Sequence, residues 1–162
     1  MRRTIAIDPD KDKSGFAVLD GKTLISVGVA RFPDLLTMIE KECSVTECSV
    51  VVEAGWLEPA NWHVKRGDTP SKAAAIGRAL GQNQQTGMLL VEWCRMKGYD
   101  VTEMRPLRKM WRGRDGKVTQ TELEVATRLR LPRMNQDARD ALLLGWVYNN
   151  NPVRAYASAW IG

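Results

Sequence analysis

Two short runs, Thr4-Ile5-Ala6-Ile7 and Ser49-Val50-Val51-Val52, contain no charge, and each ends on a carboxylate, Asp8 and Glu53. Strands this apolar are buried on both faces, as in a sheet with helices packed above and below. Together with the helices read below, such strands point to an α/β fold. A carboxylate at the tip of such a strand faces a desolvation cost of several kcal/mol unless it is paired or binds a cation. The two acids therefore mark a place where the fold needs negative charge.

The remaining elements are legible from punctuation and period. Residues 4–8 read as a first strand, 10–15 as a polar turn, and 16–19 as the start of a second strand. Asp20-Gly21 is a hairpin signal, which makes residues 23–29 a third, antiparallel strand. Pro33 opens a short helix with Leu35, Leu36 and Ile39 on its apolar stripe. Residues 49–53 form a fourth strand, parallel to the first because a helix crosses over to it. Residues 54–69 show no period and read as a long loop, a kind of segment that is usually functional or disordered. Thr69-Pro70 caps a helix running to about Met96, with Ala73, Ile76, Leu80, Gly87, Leu90, Val91 and Cys94 on one face. Gly77, Gly81 and Gly87 predict close approach of that helix to the sheet. Residues 99–104 form the fifth strand. Thr119-Gln120-Thr121-Glu122 is a capping box opening a helix to about Leu131, stopped by Pro132. A last helix runs from Asn135 or Gln136 to about Asn149, and the tail 150–162 is weakly patterned. The order βββαβαβαα describes one domain, residues 1–162, with a mixed five-stranded sheet flanked by helices.

Composition narrows the class. No stretch approaches the ~20 apolar residues of a membrane span, and no secretory leader pattern is present. Cys43, Cys48 and Cys94 are odd in number and lack a CxxC pair, which speaks against zinc or a disulfide framework and for a reducing cytoplasm. The net charge of +5 is concentrated. Arg105, Arg108, Lys109, Arg112, Arg114 and Lys117 are close together, beside Trp111 and the glycines Gly113 and Gly116. Arg128, Arg130 and Arg133 follow. Such a stretch suits phosphate contact.

Two more acids complete the pattern. Asp137 and Asp140 open the last helix three residues apart, so both lie on one face a turn apart and repel unless a cation sits between them. Ala141, Leu144 and Val147 bury that helix. With the first and fourth strands parallel neighbours, Asp8 and Glu53 emerge at one sheet edge, and a helix end laid across it assembles four oxygen donors. Such a set suits two Mg²⁺ ions, with Mn²⁺ as a substitute, roughly 3.5–4 Å apart, as used for in-line phosphodiester cleavage. Trp56 and Trp62, with Lys65 and Arg66, place aromatic and basic side chains in the loop after Glu53, a combination that could stack on bases of distorted DNA. His63, the single histidine, reads as a loop-packing residue or a proton carrier.

Ile5-Ala6-Ile7-Asp8-Pro9 followed by Ser14-Gly15-Phe16, then Val52-Glu53-Ala54-Gly55-Trp56, then Asp137-Ala138-Arg139-Asp140-Ala141-Leu142 resemble, in order, the three motifs of RuvC-type Holliday junction resolvases. Gly116-Lys117 and the helix ending Leu129-Arg130-Leu131-Pro132 follow the family's run into its last motif. The resemblance covers about residues 4–148. It implies an RNase H-like fold, two Mg²⁺ ions held by Asp8, Glu53, Asp137 and Asp140, and Lys117 near the scissile phosphate. It also implies Trp56 as a base-stacking aromatic, branched DNA as partner, and a homodimer. Asp10 departs from the pattern, standing where the family has glycine. The expected activity is resolution of four-way junctions by a crossover junction endonuclease. The alternatives are an RNase H-like nuclease acting on an RNA–DNA hybrid, flap or RNA precursor, and an inactive DNA-binding module. An actin-like kinase is disfavoured because 162 residues leave no room for its second lobe.

Overall fold

The computed structural model describes residues 2–42, 44–58 and 64–154. Five strands, β1 (Arg3–Asp8), β2 (Ser14–Asp20), β3 (Thr23–Ala30), β4 (Cys48–Glu53) and β5 (Asp100–Met104), form one sheet in the order β3-β2-β1-β4-β5. The helices are α1 (Phe32–Glu42), α2 (Pro70–Lys97), α3 (Gln120–Thr127) and α4 (Gln136–Tyr148), with two 3-10 turns at Gly55–Leu57 and Arg114–Gly116. The first three strands form an antiparallel meander closed at Gly21, whose φ is 59°. Strands β1, β4 and β5 are parallel. The element order agrees with the sequence expectation throughout.

Strand alternation divides the core. Ile5, Ile7, Val50 and Val52 pack with Leu35 and Ile39 of α1 and Leu90, Val91 and Cys94 of α2. Ala6 and Val51 point the other way, against Leu144 of α4, and Ala17 and Leu19 pack with Leu123, Ala126, Ala141 and Leu142. Burial on both faces is the reason β1 and β4 carry no charge before their last residue.

Several local expectations are corrected. In α2 only Gly87, Leu90, Val91 and Cys94 are buried, whereas Ala73, Ile76 and Leu80 are partly exposed. A helix of 28 residues is about 42 Å long, and strands of five or six residues reach only about 17–20 Å, so α2 outruns the sheet. A Cβ at Gly77 or Gly81 would meet nothing within 4 Å, and only Gly87 serves a close approach. Helix α3 ends at Thr127 rather than Leu131, before Pro132 can act. Arg128 turns left-handed, with φ 59°, while the Thr127 hydroxyl donates to Leu123 O and accepts the Leu129 N–H. Trp111 belongs to the core cluster with Leu123, and backbone hydrogen bonds close tight turns at Gly113 and Gly116. Cys48 is disulfide-bonded and Cys94 is a free buried thiol, so the cysteines no longer argue for a reducing compartment. Among the described residues no helix is long and apolar enough to cross a membrane.

Candidate active site

The parallel register of β1 and β4 pairs Ile7 with Val52, which brings the next residues, Asp8 and Glu53, out side by side at one sheet edge. Helix α4 delivers the other two acids. Asn135 caps it, its side chain accepting the Ala138 N–H at 3.0 Å, and Asp137 and Asp140 follow in the first turn and a half. The helix can reach the edge because Gly15, the β2 partner of Asp8, has no side chain. A Cβ there would collide with the Asp137 carbonyl oxygen. One oxygen each of Asp8, Asp137 and Asp140 lies within 4.8 Å of the others. Glu53 is hydrogen-bonded to Asp8. All four acids line one cleft.

Convergence perturbs all four. Burial pushes Asp8 well above the usual carboxylate range, and the neighbouring Glu53, Asp140 and Asp137 push it further. Burial and the neighbouring acids thus favour the neutral form of Asp8 over its carboxylate. Glu53 is also raised, by burial first and then by Asp140, against the pull of Asp8's hydrogen bond, Lys117 and Lys109. Burial raises Asp137 and Asp140 as well, and the charge of Asp10 adds to the effect at Asp137. A close all-oxygen donor set of partly buried carboxylates suits a hard divalent cation. The residues present thus fit Mg²⁺ or Mn²⁺.

A tightly knit loop brings in the opposing charge. The Trp111 N–H donates to Gly116 O and the Gly113 N–H to Lys117 O, at 3.0 and 2.9 Å. Gly116 needs its φ of 75° and its bare Cα, because a Cβ would press on Lys109 at 3.1 Å. Glu122 fastens the loop to α3, accepting from the backbone N–H groups of Arg112 and Thr119 and from the Thr119 hydroxyl, each at 2.9 Å. Lys117 Nζ ends 3.6 Å from Asp140 Oδ2. Burial alone would lower its pKa, but Asp140, Asp8, Asp137 and Glu53 together raise it, so it stays an ammonium.

These groups line a cleft of about 250 Å³ whose wall includes Trp56, Arg108 and Lys109. Trp56 is half-buried, its indole N–H donating to Glu103 Oε1 at 2.9 Å and its ring against Gly87. Glu103 is in turn paired with Arg95 at 2.9 Å. Arg105, Arg108, Lys109, Arg112 and Arg114 are exposed, Arg105 lying 3.9 Å from Glu58 and Arg114 3.9 Å from Asp115. Lys65 and Arg66 are exposed on the turn before α2. Trp62 and His63 lie outside the described residues. Asp10 builds the turn that replaces the expected glycine. Its Oδ1 accepts the N–H groups of Asp12 and Lys13, at 2.8 and 3.2 Å, and its own N–H donates to Ser14 Oγ.

Two residues went unmarked by sequence reasoning. Gln136 donates to Asp140 Oδ1 at 2.8 Å, and Arg139 donates to Gln136 Oε1 at 2.8 Å. The i, i+4 spacing of Gln136 and Asp140 on α4 was the available signal.

The sheet order, the helices on both faces and the acids at the strand ends make this an RNase H-like fold. The chain is similar in structure to T. thermophilus RuvC in complex with Holliday junction substrate, with a TM-score of 0.52 and 16% identity over 90% of this chain and 91% of that one. A second structure, of Thermus thermophilus RuvC, has a TM-score of 0.48 and 15% identity over 93% and 98%. No protein-family model and no curated protein matches the sequence.

Proposed function

We propose that this chain is a RuvC-type, divalent-metal-dependent endonuclease that resolves four-way DNA junctions. The observation that carries this reading is the meeting of Asp8, Glu53, Asp137 and Asp140 with Lys117 in one cleft. The likeness to a RuvC bound to a Holliday junction points to the substrate.

In this reading the four acids hold two Mg²⁺ ions, for which Mn²⁺ substitutes. When bound, these supply activation of water and stabilisation of the leaving oxygen. Water adds to phosphorus in line and gives up a proton, the bond to the 3′ oxygen breaks, and the leaving oxygen takes up a proton. Asp8, Glu53, Asp137 and Asp140 orient the site and give up their shared protons on loading. Lys117 places its ammonium where charge builds on the phosphate. Arg108 and Lys109 at the rim, with Arg105, Arg112, Arg114, Lys65 and Arg66 further out, hold phosphates of the junction arms. Trp56 offers the cleft an aromatic edge that Glu103 keeps from swinging, and Trp62 is a second stacking candidate. The whole chain serves as one nuclease domain working as a homodimer, which would cut two strands symmetrically.

A panel of four-way junction, duplex, RNA–DNA hybrid, flap and single strand tests the proposal. With Mg²⁺ the junction is nicked preferentially, and Asp8→Asn, Glu53→Gln and Asp140→Asn abolish nicking while leaving junction binding. Preferential cutting of the hybrid would move the activity to the other nuclease reading. Undiminished cutting by all three variants would refute the site.

A further inference from the structure

Asp140 and Lys117 come from different elements, a helix and a loop, yet one small network joins them. The Gln136 amide uses both of its N–H groups, one to Asp140 Oδ1 at 2.8 Å and one to the Val118 carbonyl at 3.0 Å. Its Oε1 accepts from Arg139 Nη2 at 2.8 Å. Arg139 then closes the figure, with Nε donating to the same Val118 carbonyl at 3.1 Å and Nη1 to Met134 O at 2.7 Å.

The chemistry of these groups fixes the direction of every bond. A guanidinium only donates, so the face of the amide toward Arg139 must be its oxygen. Its nitrogen is then forced toward Asp140 and Val118, both acceptors. Turning the amide over would set three acceptors against one another and leave Arg139 facing N–H groups. Gln136 is therefore a one-way donor to Asp140, and with Oδ1 held, Oδ2 is the oxygen left toward Lys117. Val118 is the residue after Lys117, so two α4 side chains on its carbonyl tie the lysine's loop to the helix that carries Asp137 and Asp140.

We propose that Gln136 and Arg139 are positioning residues that lock Lys117 and the Asp140 carboxylate into a single unit, setting the affinity of the acid cluster for divalent cations. This rests on the metal-dependent reading of the site given above. Outer partners of this kind change metal affinity or activity by about 10–100-fold when removed.

The test uses the full chain and Mn²⁺ alone, titrated calorimetrically, with junction nicking and metal-free junction binding measured in parallel. Gln136→Leu, which keeps size but loses all three bonds, should weaken Mn²⁺ binding by about 10–100-fold and slow nicking, with junction binding unchanged. Arg139→Lys keeps the charge but cannot bridge Val118, Met134 and Gln136 together. It should show about a 10-fold weakening, whereas a role resting on charge alone would be rescued. A folded Gln136→Leu protein that binds Mn²⁺ like the natural chain overturns the proposal. If Gln136→Leu does not fold, Arg139→Lys decides, and natural Mn²⁺ affinity there overturns it equally. A natural chain that neither binds Mn²⁺ nor nicks DNA refutes the metal reading itself, while loss confined to the variants supports the lock.

Discussion

Asp8 concentrates the conflict between stability and function in this chain. It sits at the end of a buried strand beside a second acid, and burial more than any neighbour raises its pKa. Its folded pKa lies above the ordinary value of 3.8, so the sign of its linkage is fixed. Stability is fully present below that value and falls as pH rises through the folded pKa. Asp8→Asn removes the conflict. We expect that variant to melt at a higher temperature than the natural chain at neutral pH without metal, and to be inactive in nicking. Its melting temperature should also decline less between pH 4 and pH 8, on the order of one titrating group. Equal slopes for the two proteins would show that Asp8 is not the strained group. Lys117 makes the complementary case. Lys117→Met should retain junction binding and lose about 10²-fold in single-turnover cleavage rate. A change confined to binding would place the lysine on a DNA arm instead of at the reacting phosphate.

Helix α4 and strand β2 explain why the site could be foreseen and where foresight stopped. Asp137 and Asp140 were readable as a helix-start pair, and Gly15 was readable as part of a motif. That Gly15 clears a path for the Asp137 carbonyl depends on the crossing of two elements more than 120 residues apart, which no local pattern encodes. The Gln136–Arg139 network was hidden for the same reason, since its hub is a loop carbonyl. Helix α2 misled in the opposite way. Its apolar period continues past the sheet, and periodicity carries no information on how long the sheet is. Trp111 sits in a basic, glycine-bearing stretch, yet it belongs to the core cluster with Leu123 and Ala126. Glycine substitutions separate these cases. Gly15→Ala should destabilise the fold by about 1–3 kcal/mol, because backbone rather than a flexible side chain stands in the way. Gly81→Ala, with open space around it in a helix, should stabilise by about 0.5–1 kcal/mol. Chemical denaturation of both proteins checks the contrast, and a neutral Gly15→Ala would mean that α4 does not lie against β2 so closely.

The molecule as a whole gathers negative charge in a cleft and rings it with positive charge. Under the proposed function the cleft takes divalent cations and the rim takes DNA phosphates. Arg108 and Lys109 stand at the boundary, lining the acidic cleft while exposed to solvent. Junction binding should therefore weaken steeply with salt, and removing both side chains should reduce the log–log salt slope by roughly 2. An unchanged slope would move the DNA to another face. Both roles meet at the four acids, and a crystal of the full chain soaked in Mn²⁺ addresses them most directly. Anomalous scattering should show two manganese ions bound by Asp8, Glu53, Asp137 and Asp140. A cleft free of manganese under those conditions, with the four side chains placed as described, would contradict the assignment of a metal-dependent nuclease.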